Sequence, residues 1–298
     1  MHTNTAMNAT LHTRKVAKRP AWRADRLAIG VGKAVAVGAI LVWSLFPIAF
    51  IAMSAFKPGQ DIFAVPPKFV FTPTLQHYGK LWSDWGMFFD GLVNSTVITI
   101  GATILAITTS TSAGYVYSRY SSRFLNASVL FLIVVRLIPP IVVTLPLFPI
   151  INAMGLNDTH IVLIVLYATF FVSLGTVLMR TFIDQIPREL DEAAQIDGAT
   201  RLVTLRRIIV PLAAPGILAV AVFVVVFAWN EFLFAFIFTA TKAKTAPLVI
   251  SEMIGSIDGV DWGVLFAAST IQLIPVLLFV VLMNRYLVAG LTAGATKG

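Results

Sequence analysis

Long runs of apolar residues without a charged side chain recur along this chain. A helix needs about 20 apolar residues to cross a hydrocarbon layer about 30 Å thick, and five runs free of Asp, Glu, Lys and Arg have about that length or more. A sixth run is interrupted only by Arg136. The pattern therefore predicts six membrane-spanning helices, over residues 34–56, 91–118, 130–151, 159–179, 208–230 and 262–284.

The composition and the type of run both indicate an all-α integral membrane protein. Of the 298 residues, 58% are hydrophobic and 12% are charged, about half the charged share of a soluble domain. The bilayer admits only helices or closed barrels. Continuous apolar stretches such as residues 220–227 lack the alternation of a barrel strand. A water-soluble enzyme is therefore disfavoured.

The distribution of basic residues predicts that both termini are cytoplasmic. With six spans, 16 of the 22 Lys and Arg residues fall on the side of the termini and five on the other, while Arg136 lies inside a span. Basic residues concentrate on the cytoplasmic side of a membrane. The net charge of +8 is thus explained by topology and by contact with acidic lipid headgroups, and it does not call for nucleic acid as a partner.

Two segments between spans are predicted to be external. Residues 57–90 are rich in proline and aromatic side chains, which favours an ordered segment lying on the membrane surface. Residues 239–261 carry charges around an apolar stretch at 247–250. This second segment is polar enough to meet a soluble partner, and a plain solvated loop fits it about as well.

The cytoplasmic segment 180–211 is the most informative part of the chain. It predicts a short helix over residues 187–197, with Pro187 and acidic residues in the first turn and Gly198 at the C-terminal cap. Small and apolar residues recur along it at helical spacing, flanked by carboxylates. An anionic membrane surface would repel those carboxylates, so a groove on a protein partner is the better match.

Motifs for catalysis or for a bound cofactor are missing from the sequence. It contains no G-x-x-x-x-G-K-[ST] for ATP, no H-E-x-x-H, no G-x-S-x-G and no cysteine. Its four histidines have no metal-ligand spacing. The sequence therefore predicts no catalytic residue, no metal site and no cofactor in this chain.

The segment 180–211 resembles the cytoplasmic signature of ABC importer permeases that work with a solute-binding protein. That signature reads E-A-A, three residues, G, nine residues, I-x-L-P, and here it stands as Glu192-Ala193-Ala194, Gly198 and Ile208-Ile209-Val210-Pro211, with Val210 in place of Leu. Residues 197–199, 211–216, 229–231 and 290–298 are similar to the carbohydrate branch, in particular to the second permease of maltose-type systems.

This resemblance implies a type-1 importer permease fold in the bacterial inner membrane, without enzymatic activity of its own. It implies a second homologous permease, two ATP-binding subunits that carry ATP and Mg, an extracytoplasmic solute-binding protein, and a sugar, polyol or sugar derivative as solute. The residues implied to contact the ATPase are Glu192, Ala193, Ala194, Asp197 and Gly198.

The domain organisation follows from the spans and the resemblance together. We expect a basic cytoplasmic arm at 1–33, a first transmembrane helix at 34–56, an external surface segment at 57–90, a five-helix transmembrane domain at 91–284 and a cytoplasmic tail at 285–298. Gly290, Gly294 and Gly298 predict that residues 291–298 do not extend the last helix, and the resemblance implies that this tail contacts the ATPase dimer.

Three polar residues within or beside the spans are candidates for the pathway or for a subunit interface. Arg136 costs about 2.5 to 3.5 kcal/mol in a membrane helix on insertion scales, so it is expected to point away from lipid, and Asn230 and Glu231 are expected to line the outer pathway. Their depths argue against an ion pair between Arg136 and Glu231. An ion-coupled secondary transporter that uses these two residues remains the alternative function.

Overall fold

A computed structural model describes the backbone of residues 22–257 and 259–292. The regular structure of these residues is helical, with no β-strand. In chain order the helices are α1 (Trp22–Ser54), α2 (Gly59–Ile62), α3 (Gln76–Asp84), α4 (Met87–Arg119), α5 (Arg123–Val135), α6 (Pro140–Ala153), α7 (His160–Ile183), α8 (Glu189–Ile196), α9 (Arg201–Thr204), α10 (Val210–Leu212), α11 (Ala214–Asn230), α12 (Leu233–Phe238), α13 (Ala246–Ile254) and α14 (Trp262–Thr292). A π-helical turn, Leu205–Ile209, joins α9 to α10.

Four helices contain a continuous stretch that is long and apolar enough to cross a membrane. These are α1, α4, α7 and α14, and they coincide with the first, second, fourth and sixth predicted spans. The chain divides into two compact units, residues 1–50 and residues 51–298. The sites described below all lie within the second unit.

The third and fifth predicted spans are bent; the adjacent Pro139 and Pro140 predict a kink in the third, whereas the bend in the fifth was not predicted. α5 and α6 meet at 96°, and the helical segment from α9 to α10 meets α11 at 78°. Pro139 adopts an extended conformation with ψ of 135° ahead of Pro140. A residue before proline avoids the helical region and proline itself offers no amide, so the helix stops after Val135. With each bent pair counted as one span, the described residues offer up to six.

Close packing of α4 against α7 forms the centre of the second unit. A Cβ atom on Gly114 would lie only 2.7 Å from Cβ of Met179, so this crossing requires glycine. Small residues allow the backbones of membrane helices to approach closely, which increases their van der Waals contact. One apolar cluster surrounds this crossing and includes Tyr115, Ile183 and Val220. A second cluster includes Tyr167 and Phe234, farther along α7.

The short helix predicted for residues 187–197 is present as α8. It ends where Gly198 adopts a φ of +83°, a region that glycine enters without strain. The amide of Ala199 donates to the carbonyl of Ala194 at 2.9 Å, which satisfies a carbonyl in the last turn. The predicted glycine cap is therefore confirmed.

Both segments predicted to be external contain helices, although only the first, 57–90, was expected to be ordered. The segment 57–90 contains α2 and α3 and leads directly into α4 at Met87. The stretch at 247–250, interpreted as part of a loop, belongs to α13. Both sides of this short helix are buried: Leu248 joins the cluster of Tyr167 and Phe234, and Val249 belongs to a third core cluster with residues of α4 and α14.

Candidate functional site

A buried ion pair fixes α8 to the end of α4. The carboxylate oxygen Oδ2 of Asp191 lies 3.0 Å from both Nε and Nη2 of Arg119. The hydroxyl of Tyr115 donates to Oδ1 of the same carboxylate at 2.7 Å. Only 5% of Asp191 is exposed to solvent. A two-point contact between a guanidinium and a carboxylate restrains orientation as well as distance, so α8 is held in one pose.

Further hydrogen bonds tie the same region to the end of α7. Arg119 also donates to the carbonyl of Ile183 at 3.3 Å and to that of Ile186 at 3.1 Å. Arg188, just before α8, donates to the carbonyl of Ser118 at 2.8 Å. The helix ends leave carbonyls that need donors, and these two arginines supply them. These hydrogen bonds attach the segment around α8 to the ends of both α4 and α7.

The residues implied to contact the ATPase divide between two sides of α8. Glu192, Ala193, Asp197 and Gly198 are exposed, whereas Ala194 is only 5% exposed and packs against its own chain. The exposed side also presents Ile196, which is 87% exposed. Sequence periodicity placed Ala193 and Ala194 on one stripe and did not single out Ile196. The outward side of α8 and its C-terminal cap therefore present two carboxylates, a small residue and a large apolar residue.

Arg136 lies at the break between α5 and α6, beside a cavity of about 480 Å³. Its Nη1 donates to the carbonyl of Phe170 at 3.4 Å, and its guanidinium carbon lies 5.1 Å and 5.2 Å from the ring centres of Phe170 and Phe171. A charged side chain within a span is expected to bond to backbone carbonyls or polar side chains, and this contact is of that kind. The cavity is mostly apolar, with hydroxyl groups from Thr109, Thr169 and Ser173.

Glu231 has a structural partner of its own. Its carboxylate accepts hydrogen bonds from the amides of Phe234 at 2.8 Å and Ala235 at 3.3 Å, so it caps the start of α12. It is 8% exposed. Asn230 is exposed, and its side chain donates to the carbonyl of Val226 at 2.8 Å. Among the described ion pairs none joins Arg136 to Glu231. The use of Asn230 and Glu231 in a pathway stays a prediction.

Sequence reasoning missed the contact that joins the two turns at the opposite end of α7. Asp158, with a φ of +59°, places its carboxylate against the consecutive amides of residues 240–243 at 2.9 to 3.2 Å. Successive amides that converge in this way form an anion-binding nest. Burial raises the pKa of Asp158, but the hydrogen bonds outweigh it and hold the pKa well below its usual range.

An ion pair at this same end joins the segment 57–90 to the residue before α14. Lys80 donates to Oδ2 of Asp261 at 2.9 Å. This hydrogen bond raises the pKa of Lys80. Burial pushes the pKa of Asp261 upward, and the hydrogen bonds from Lys80 and from the amide of Val264 outweigh it, so the net shift is downward. A cavity of about 780 Å³ adjoins the pair, lined by Phe63, Trp85 and Trp262 among others.

The predicted contact between the tail and an ATPase lies mostly outside the described residues. α14 continues to Thr292, so Gly290 lies within the helix, and residues 291 and 292 are helical rather than the start of a non-helical tail. That part of the prediction is wrong, because one glycine lowers helix stability by only about 1 kcal/mol. Gly294 and Gly298 lie outside the described residues.

Comparison with known proteins agrees with this arrangement. The family model for the inner membrane component of binding-protein-dependent transport systems matches residues 106–293. The chain is 34% identical to the trehalose/maltose transport system permease protein MalG of Thermococcus litoralis, over 88% of this chain and 95% of that protein. It is 32% identical to the sulfoquinovosyl glycerol transport system permease protein SmoH of Agrobacterium fabrum, over 89% and 93% respectively.

A solved structure shares the fold. It is the crystal structure of a bacterial ABC transporter involved in the import of the acidic polysaccharide alginate, with a TM-score of 0.73 and 21% identity, covering 89% of this chain and 98% of that one. The shared fold and the family match over residues 106–293 therefore agree. The chain belongs to the family of inner membrane permease components of binding-protein-dependent ABC transport systems, whose ATPase is a separate subunit.

Proposed function

We propose that this chain forms half of the translocation pathway of an ATP-driven importer for a carbohydrate or a carbohydrate derivative. The names of its relatives support that solute class, since they refer to trehalose/maltose and to sulfoquinovosyl glycerol. In this proposal the end that carries α8 faces the cytoplasm of a bacterium together with both termini. Sixteen of the 22 basic residues then lie on the cytoplasmic side.

The observation that carries the proposal is the fixation of α8 by Asp191. A helix that transmits the closure of two ATPase subunits must not move independently of the membrane helices. Asp191 bonds to Arg119 and Tyr115 of α4, while Arg119 reaches the carbonyls that follow α7. The exposed side of α8, with Glu192, Ala193 and Ile196, is left to enter a groove on the ATPase. ATP and Mg bind to those partner subunits.

The bent spans give the permease its means of alternating access. Rigid segments that meet at a break can rotate about it with few changes in backbone angles. The π-helical turn Leu205–Ile209 lies in the stretch of chain that connects α8 to α11. π-Helical turns occur frequently at functional sites. We assign this turn and Ala213, where the helix bends, to the movement of α11 during transport.

The second permease, the binding protein and the tail's contact with the ATPase dimer are each assigned to a different part of the molecule. A second homologous permease completes the pathway, and it covers the open side of the Arg136 cavity. The extracytoplasmic binding protein docks at the end where Asp158 and Asp261 order the turns. The tail from Gly290 through Gly294 to Gly298 contacts the ATPase dimer. Asn230, which is exposed, faces the outer pathway, and Glu231 holds the adjoining bend.

Reconstitution tests this function against ion-coupled transport. The complete transporter is placed in liposomes with ATP inside and the binding protein outside, and uptake of labelled sugars is measured. We expect uptake to require both ATP and the binding protein and to continue when ion gradients are collapsed by ionophores. Uptake that persists without ATP and stops with the ionophores would support the ion-coupled alternative instead.

A further inference from the structure

Arg136 has more hydrogen-bond donors than its own chain uses. A guanidinium carries five N–H donors, and the described hydrogen bond of Arg136 is one contact of 3.4 Å to a carbonyl. Phe170 and Phe171 attract the cation through their rings. No carboxylate of the described residues forms an ion pair with it. An arginine in a membrane helix usually pairs with a residue of opposite charge or with several carbonyls. Arg136 therefore has donors left for a further partner.

The cavity beside Arg136 has the size and the lining of a site for a small organic molecule. Its volume of about 480 Å³ falls within the usual range for such sites, which is about 300 to 1,000 Å³. Aromatic rings of Phe131, Phe170 and Phe234 contribute to its walls, and hydroxyl groups are present as well. Aromatic walls suit the apolar faces of sugar rings, and hydroxyl groups suit their edges.

The break between α5 and α6 adds positive character to the same cavity. Pro140, the first residue of α6, lines it together with Arg136. The amino end of a helix carries a partial positive charge and free amide groups. The site therefore combines a full charge with a helix dipole of the same sign, in a span that is otherwise apolar.

The open side of the cavity does not suit lipid. Phe131 is 65% exposed beside the half-buried Arg136, and the exposed residues Thr109 and Thr169 also line the cavity. Charged and polar groups of membrane helices face the bundle interior or a water-filled cavity. An acidic side chain from the second permease could pair with Arg136, but it would fill only a small part of about 480 Å³. A larger anion accounts for both the charge and the space.

We infer that this cavity binds an anionic sugar derivative, with Arg136 pairing to its carboxylate, sulfonate or phosphate group and Phe131 packing against the sugar ring. The inference rests on the proposed function and narrows its solute from carbohydrates in general to those with an acidic group. Arg136 is then a specificity residue of the permease itself, and it acts after the binding protein has released the solute.

The test has two stages. First, the binding protein is screened by calorimetry against glucose, maltose, trehalose, glucuronate, digalacturonate, 6-deoxy-6-sulfoglucose and glucose 6-phosphate. Second, uptake of the accepted sugars is measured with the complete transporter in liposomes, for the unaltered chain and for Arg136→Gln, Arg136→Lys and Arg123→Gln. Arg123 starts the same span and is exposed, so its substitution removes an equal charge away from the cavity.

We expect the binding protein to accept an acidic sugar, and Arg136→Gln to lower its uptake by about tenfold or more, as loss of a charge-assisted hydrogen bond implies. Arg136→Lys keeps the charge, so it should transport the acidic sugar at a rate between those of the unaltered chain and Arg136→Gln. If Arg136→Gln does not assemble, this variant still provides the test. Arg123→Gln should leave uptake within about twofold.

Other outcomes overturn the inference and are distinguishable from failure of the proposed function. A binding protein that accepts only neutral sugars, with ATP-driven uptake of them, contradicts the acidic solute and leaves the importer function intact. Undiminished uptake of an acidic sugar by a well-assembled Arg136→Gln complex contradicts the role of Arg136. If Arg136→Gln prevents association of the two permeases in detergent while Arg136→Lys restores it without any effect on the uptake of acidic sugars, the partner is an acidic residue of the second permease. Acceptance of no sugar at all rejects the proposed carbohydrate function together with the inference.

Discussion

Asp191 of α8 and Arg119 of α4 form a buried two-point ion pair, with Oδ2 of the carboxylate 3.0 Å from both Nε and Nη2 of the guanidinium. The two residues are 72 positions apart in the sequence. Their contact turns a short, acidic helix into a rigid extension of the membrane helices. The coupling role proposed for α8 depends on this attachment as much as on the residues that α8 exposes.

Removing one side of this pair should weaken both stability and coupling. Asp191→Asn leaves the buried Arg119 without its charge partner, and such a loss costs about 3 to 5 kcal/mol in buried sites. We expect a lower thermal midpoint of the purified complex and less solute transported per ATP hydrolysed. Glu189→Gln, at an exposed carboxylate of the same helix, is the control and should change neither quantity. If Asp191→Asn and Glu189→Gln behave alike, the ion pair of Asp191 is not needed for stability or for coupling.

The sharp exit from α8 should be sensitive to substitution of Gly198. A residue with a Cβ at a φ of +83° is strained by about 1 to 2 kcal/mol, and Gly198→Leu adds bulk beside the exposed side of α8. We expect uncoupled ATP hydrolysis with little transport in an otherwise assembled complex. Gly155→Leu is a matched control, because Gly155 has a φ of +67° and no heavy atom within 4 Å of an added Cβ, and it lies away from α8. Uncoupling by both variants would point to general strain.

Reversing a charge on the exposed side of α8 tests the contact with the ATPase. Glu192→Lys leaves the buried clamp at Asp191 untouched, since Glu192 is exposed. We expect a complex that retains its helices, measured by circular dichroism, but loses transport. The positive lysine would no longer be complementary to a groove on the ATPase that accepts the negative Glu192. Normal transport by a well-assembled Glu192→Lys complex would show that α8 is a plain solvated segment.

The sequence was sufficient to predict the spans and α8, because each of these features depends on neighbouring residues. Charge-free runs identified the membrane helices, and the Pro187 and Gly198 signals bracketed the short helix. The adjacent Pro139 and Pro140 also predict the kink in the third span, whereas the bend in the fifth span at Ala213 was not predicted. The inward direction of Asp191 could not be predicted from its own helix, since it depends on Arg119 at the end of another.

The same reason explains the missed contact of Asp158. Its carboxylate binds amides at positions 240–243, and nothing in the local sequence relates the two turns. A left-handed conformation at an aspartate gives no clear signal in the sequence either. α13 was missed because charged residues surround its apolar stretch, and its burial depends on α4 and α14. Contacts between distant segments were therefore the part that needed the structure.

The hydrogen bonds between the Asp158 carboxylate and the amides of residues 240–243 should persist over the whole physiological pH range. A carboxyl whose pKa is depressed in the folded state contributes stability above its unfolded pKa and loses it as the pH falls through the folded value. Because the folded pKa lies well below the usual range, protection of amides 240–243 from hydrogen exchange should be constant between about pH 5 and pH 8, after correction for intrinsic rates. Asp158→Asn should abolish that protection. Asp61→Asn, which removes the charge that pairs with Lys68 in a different segment, is the control.

Site-specific cross-linking from α8 tests the central claim most directly. The chain contains no cysteine, so Ile196→Cys, Ala194→Cys and Lys242→Cys each give a single thiol that can carry a photoactivated cross-linker. Ile196 is 87% exposed on α8, Ala194 is 5% exposed on the same helix, and Lys242 is exposed at the opposite end. We predict that, in the assembled transporter, Ile196→Cys joins the ATPase subunit in high yield while Ala194→Cys and Lys242→Cys do not. A cross-link from Ile196→Cys to lipid alone, or to the solute-binding protein, would contradict the account.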